Sequence, residues 1–235
     1  MVCVRDLPAV MLALRCLYSG VLPAGYDDES KRFFTDLGAR IPDAIKLGQG
    51  FALYRGRLHR MMGEHATASI GAVVAHHTAP LARVLRDLRA AEKRAKDMGR
   101  DAFAITVGKR AGGAMTFAGK WRLADEDRGD LGLLYETAKL LGGDVSRRAA
   151  YAIVEELPFV PPLSDSLESV LRLHFGRKAR AAGLDHDLVK NLAGRAAQAT
   201  KPTEWLREMF VAAEFLGREG RIGANGRAQA KKEAA

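Results

Sequence analysis

The chemistry-capable residues that this chain holds in excess are basic. Lys and Arg number 37 against 28 Asp and Glu, a net charge of +9 in 235 residues. They are unevenly placed. Nine stand between Leu81 and Arg110 against four acids, and twelve stand in 176–235 against seven. The rest of the chain is close to neutral. Basic blocks of this kind suit a polyanion, held by charge-assisted bonds to phosphate oxygens. Arg- and Ala-rich composition also follows from GC-rich coding, so charge alone names no partner. The six histidines (His59, His65, His76, His77, His174 and His186) show neither HxxxH nor HExxH spacing. Two cysteines, Cys3 and Cys16, are too few for a disulfide framework or a four-ligand zinc site, and both are expected as buried free thiols.

Three other groups of polar residues have structural readings. Asp27-Asp28-Glu29 precede an amphipathic segment, Ser30–Ala44, and fit an N-terminal charge that complements a helix dipole. Gly142-Gly143-Asp144 joins two helical segments, with Gly as a C-cap and Asp144 or Ser146 as an N-cap. His76 and His77 precede a helix with no nucleophile in view. A hydrogen bond to loop backbone is expected there.

The elements that must position these groups follow from hydrophobic spacing. No apolar stretch reaches the ~18–20 residues of a membrane span, and no signal-peptide pattern opens the chain, so a cytoplasmic, reduced setting is expected. Met1–Val4 reads as a strand and Pro8–Ser19 as a helix. Phe51–Arg55, Thr67–Ala75, Ala102–Val107 and Ala114–Arg122 read as strands, the second central and the last at an edge. Pro80 opens a helix that ends near Met98, with Gly99 as its cap. Its expected buried stripe is Leu81, Val84, Leu85, Leu88, Ala91 and Ala95. Beyond Leu123 the pattern is helical, near Asp130–Leu141, Ser146–Glu156, Ser164–Ala182, Asp185–Ala199 and Thr203–Glu219. Trp205 and Phe210 fall on a core stripe of the last of these. The fold class expected is therefore α+β. An α+β unit covers residues 1–122, a helical bundle 123–220, and a basic disordered tail 221–235.

The window Met62–Gly112 carries a more specific pattern. Ala95-Lys96-Asp97-Met98-Gly99-Arg100-Asp101 resembles the AKxxGRN segment of diguanylate-cyclase-type palms. The flanks resemble the C-terminal palm domain of the large subunit of type III-B (Cmr-type) CRISPR effector complexes. Met62-Gly63, Ala66–Ser69, Ala75-His76, Pro80-Leu81, Glu92-Lys93, Ala95-Lys96 and Lys109-Arg110 fit that family's strand, Pro-Leu helix start, basic helix and following strand. Ile70 replaces a small residue of the family strand, and Ala111 a serine.

The resemblance implies an incomplete ferredoxin-like palm of the nucleotidyl-cyclase type, followed by an all-α helical bundle. It implies membership of an RNA-guided antiviral ribonucleoprotein that joins ATP into cyclic oligoadenylates. In that family two aspartates of a GGDD hairpin bind the metal. This sequence holds no GGDD. In register with the family it starts just after that hairpin, so ATP and Mg²⁺ are expected only as shared with a GGDD-bearing partner segment. No catalytic residue and no metal ligand is expected in this chain, which is expected to be inactive alone.

Nucleotide contacts are expected from Lys93, Lys96, Arg100, Lys109, Arg110 and Ser69. RNA backbone contacts are expected from Arg177, Lys178, Arg180, Lys190 and Arg195. Lys96 also stands four residues after Glu92, a spacing that a helix closes into an ion pair, and Ser69 suits packing equally well. The partners implied are other effector subunits, a polypeptide with the first palm and GGDD hairpin, and guide and target RNA, with no membrane. A free-standing basic nucleic-acid-binding module with a degenerate palm, or a divergent nucleotidyl cyclase, remains as an alternative.

Overall fold

A computed structural model describes residues 1–21, 45–63, 65–108, 113–121, 129–143, 145, 148–178 and 186–220. Asp27–Glu29, Ser30–Ala44, Lys109, Arg110, Asp144, Arg180 and the tail 221–235 lie outside them. The architecture is α+β, with two three-stranded sheets and seven helices among the described residues. The chain divides into two compact units, Met1–Gly132 and Leu133–Ala235.

In the first unit, Met1–Cys3 is exposed and Val4–Asp6 is a single 3-10 turn, not the expected strand. A strand needs a ladder partner, and no described strand pairs with this segment. Cys3 is accordingly exposed rather than buried, while Cys16 is buried. Helix α1, Leu7–Ser19, starts with Pro8 in its first turn and ends at Gly20, whose φ is 75°. A Cβ at Gly20 would lie 2.5 Å from the carbonyl carbon of Gly50, so the helix end abuts the first sheet at backbone contact.

That first sheet is an antiparallel meander of β1 (Ile45–Gly48), β2 (Phe51–Tyr54) and β3 (Arg57–Arg60). Its turns are Gln49-Gly50 and Arg55-Gly56, all four residues at positive φ. Two-residue turns of that handedness match strand twist. Only β2 was legible as a strand.

The second sheet has the order β4-β5-β6. Strand β4 (Ile70–Val74) runs parallel to β5 (Ala102–Gly108), and β5 runs antiparallel to β6 (Ala114–Lys120). The crossover is α2, Leu81–Asp97. The central strand is β5, buried over Ala102–Val107, and β4 is an edge strand rather than the central one expected. Alternation along β5 gives two faces. Ala102 and Ala104 join Ala118, Ala91 and Ala95 in an alanine layer under α2. Phe103 packs on Phe117 and Trp121 at ring distances of 5.9 and 5.1 Å.

The alanine layer lets α2 lie close to the sheet. A Cβ at Gly71 would meet the Glu92 backbone nitrogen at 2.4 Å. The expected apolar stripe of α2 is therefore only half buried. Ala91 and Ala95 are inside, whereas Leu81, Leu85 and Leu88 are exposed. The close approach is made by the small residues of the C-terminal half.

The remaining helices are α3 (Asp130–Gly142), α4 (Arg148–Glu156), α5 (Ser164–Lys178), α6 (His186–Ala197) and α7 (Pro202–Glu219). The boundary between the units falls inside α3. Within the second unit, α5 packs on α4 and α6, and α7 on α4 and α6. Phe175 meets Phe210 edge to face at 5.8 Å. Gly217 brings α7 against the Ala138 carbonyl oxygen of α3, where a Cβ would sit at 2.5 Å.

Candidate functional site: a basic edge of the second sheet

The parallel β4–α2–β5 unit has two ends. At one end β4 and β5 begin and α2 finishes. Ser69 immediately precedes β4, and Gly71 lies against the Ala91–Glu92 backbone of α2. Lys93 and Lys96 occupy the last turns of α2, and Arg100 follows in the turn to β5. Ser69, Lys93, Lys96 and Arg100 thus stand toward the same end of the unit, with Lys93 on the helix face turned away from the buried Ala91 and Ala95.

The turn itself is unusual. Gly99, Arg100 and Asp101 all have positive φ, at 84°, 59° and 45°. Non-glycine residues adopt that region at a cost, so other contacts must hold them. Two do. Arg15 of α1, itself buried, donates from Nε to Asp101 Oδ1 at 2.7 Å. Lys120, the last residue of β6, donates from Nζ to the Arg100 carbonyl oxygen at 2.6 Å. Its backbone N–H donates to Asp130 Oδ2 at 2.7 Å. Lys120 pairs with Ala102 across the sheet, and this register brings it to the edge. Lys120 and Arg15 were not legible as site residues, because sheet register and a contact across 86 residues put them there.

The lysines of α2 are closed into pairs. Lys96 Nζ lies 2.6 Å from Glu92 Oε1, and Lys93 Nζ lies 2.7 Å from Asp97 Oδ2. The hydrogen bond from Lys96, with its positive charge, holds the Glu92 carboxyl below its ordinary range. Both pairs are exposed to solvent.

The remaining expected contacts lie elsewhere. Lys109 and Arg110 come after the far end of β5, the opposite end from Ser69, and are outside the described residues. In the helical unit, Lys190 is exposed on α6. Arg177 and Lys178 form the end of α5, and Arg180 is outside the described residues. Arg195 corrects the expectation of a basic surface. It is 7% exposed, and its guanidinium lies over the Trp205 ring at 5.3 Å. That arginine ties α6 to α7 by cation–π packing instead of facing solvent. Trp205 and Phe210 are both buried, as core residues.

His76 makes the expected bond to loop backbone. The Thr78 backbone N–H donates to His76 Nδ1 at 3.3 Å, with the Thr78 hydroxyl 2.7 Å from the same nitrogen. Burial pushes the Cys16 thiol up to about 12. No group of three or more His, Cys, Asp and Glu that could hold a metal ion occurs among the described residues. No described helix is long and apolar enough to cross a membrane. Comparison with known protein families and with curated proteins gave no match to this chain.

Proposed function

We propose that the chain is a component of a type III CRISPR RNA-guided ribonucleoprotein, the C-terminal part of its large subunit. In this reading the first unit is a nucleotidyl-cyclase-like, ferredoxin-like palm remainder and the second a helical bundle that contacts guide and target RNA. The observation that supports the proposal is the placement of Ser69, Lys96 and Arg100 toward one end of the β4–α2–β5 unit, in the strand–helix–strand order of the resemblance.

That edge supports the reading as follows. Lys96, Arg100 and Lys120 offer donors to nucleotide phosphates, and Ser69 a hydroxyl. Arg15 and Asp101 hold the turn that presents Arg100. The carboxylates that would bind Mg²⁺ belong to a GGDD-bearing partner segment, and the metal would neutralise phosphate charge there. The chain supports nucleotide binding and depends on that partner for oligoadenylate synthesis.

The test is co-expression with the other subunits of a type III effector, a GGDD-bearing polypeptide and guide RNA. The chain should co-purify with them. With ATP, Mg²⁺ and target RNA the assembly should make oligoadenylate, and the isolated chain none. Lys96→Glu with Lys120→Glu should reduce product without releasing the chain from the complex. Failure to associate with any effector subunit would remove the proposal. RNA binding with no subunit present would favour the free-standing module, and product from the chain alone a divergent cyclase.

A further inference from the structure

The opposite end of the β4–α2–β5 unit holds a cleft of about 420 Å³. Val73 and Val84 form part of its apolar wall, and His76, Thr78, Arg83 and Asp87 supply its polar groups. It lies outside the carboxyl ends of two parallel strands, where open α/β arrangements bind ligands. Its residues are distinct from those of the basic edge.

His76 Nδ1 accepts the Thr78 backbone N–H, so in the neutral ring the proton sits on Nε2, which becomes a donor. The His76 and His77 rings lie 4.3 Å apart, tilted by 38°. Arg83 stands one helical turn before Asp87, with Nε 3.6 Å from Oδ2. That is too long for a tight bidentate pair, so much of the guanidinium fork stays open to an anion.

We propose that this cleft is a second ligand site, for one nucleotide unit, with phosphate on Arg83 and base against the Val73–Val84 wall. The volume is that of a small-molecule pocket and exceeds what an inorganic anion needs. The shared chemistry has two sources, a free mononucleotide or one residue of a single RNA strand. The proposal is independent of the basic edge and stands or falls apart from it.

The experiment is a titration of the full chain, labelled with ¹³C in its histidine rings, with AMP, inorganic phosphate and hexa-adenylate RNA. AMP or hexa-adenylate should shift the His76 ring signals, whereas inorganic phosphate at equal concentration should shift them far less. A response to AMP assigns the free nucleotide as a source; a response to hexa-adenylate alone assigns RNA. Arg83→Glu should weaken the binding about tenfold or more, and Val84→Trp should abolish it by filling the cleft. Both positions are at least partly exposed, so the fold should survive. Arg207→Glu, exposed on α7 and outside both sites, should leave it within about twofold. An equal response to phosphate would overturn the nucleotide assignment. Silence with all three ligands, or loss through Arg207→Glu but not Arg83→Glu, would overturn the site.

Discussion

Gly71→Ala tests whether the close seating of α2 on its sheet is what places the basic edge. A Cβ at Gly71 would stand 2.4 Å from the Glu92 nitrogen, 2.8 Å from its Cα and 3.0 Å from the Ala91 carbonyl carbon. Unstrained contacts lie near 3.5–4.0 Å, so strand and helix must separate by about 1 Å. The obstructing atoms are backbone, and no rotamer change relieves them. The layer of Ala91, Ala95, Ala102, Ala104 and Ala118 would open with the helix. Overpacking of this kind costs about 1–3 kcal/mol. A whole helix must shift, which places this case in the upper half of that range. In a unit of this size the loss lowers Tm by roughly 10 °C. Circular dichroism of the full chain measures it. The control is Gly48→Ala, where a Cβ meets nothing within 4 Å, and a change within about 0.5 kcal/mol is expected. Equal melting of the two variants would refute the argument that small residues set the helix position. Because α2 carries Lys93 and Lys96, nucleotide binding at the edge should weaken well below the melting temperature.

Three further outcomes are expected. Glu92→Gln removes the carboxylate 2.6 Å from Lys96 and, in the assembly with the GGDD-bearing segment, should tighten ATP binding about two- to threefold; unchanged or weaker binding by fluorescence competition would argue against Lys96 as a ligand. Gly194→Ala, in α6 with open space around the new Cβ, should raise stability by up to about 1 kcal/mol, and a lower urea midpoint would count against this. Cys16 should resist iodoacetamide at pH 8 in the folded chain while exposed Cys3 reacts. Its thiol moves from an ordinary 9.0 to about 12 because burial disfavours the thiolate. The unfolded chain therefore releases this proton from about pH 9 and the folded chain keeps it. The contribution to stability is whole below pH 9 and declines as pH rises toward 12. Stability that climbs across that window in chemical denaturation would contradict the burial.

Elements whose own spacing decided them were legible. Pro8 and Gly20 bracket α1, and Pro80 and Gly99 bracket α2, within a residue or so of their observed limits. The alternation of Phe103, Ile105 and Val107 against Ala104 and Thr106 gave β5 its two faces. Elements decided by partners were not. Met1–Val4 is apolar enough for a strand, yet no strand lies beside it. Strands β1 and β3 are four residues each, joined through Gln-Gly and Arg-Gly turns. Those pairs carry less turn signal than Asn-Gly or Asp-Gly. Leucines at helical spacing on α2 promised one buried stripe, but depth of burial depends on what faces each turn. Alanines near the strand starts seat the helix, and Leu81 and Leu85 extend beyond that contact. The site divides similarly. Lys96 and Arg100 were readable from a local segment. Lys120 needed the β5–β6 register, and Arg15 needed a tertiary ion pair.

The same distinction decides which of the basic residues can serve a polyanion. Lys93 and Lys96 are paired, but their partners are exposed carboxylates one helical turn away. Pairs of that kind are weak and screened by salt, whereas a phosphate oxygen brings a stronger charge-assisted bond. A phosphate bound there would displace the acid, so the pairing leaves both lysines competent. Arg195 is the opposite case. Its charge sits against Trp205 with the side chain buried, so presenting it to RNA would expose the stem and forfeit the ring contact, at about 1–2 kcal/mol for the latter alone. Arg15 is held in the same way by Asp101. Formal charge counts all four equally. Exposure and the strength of the existing partner separate them, so the proposed polyanion interface would draw on the exposed lysines and Arg100, with Arg15 and Arg195 holding the scaffold.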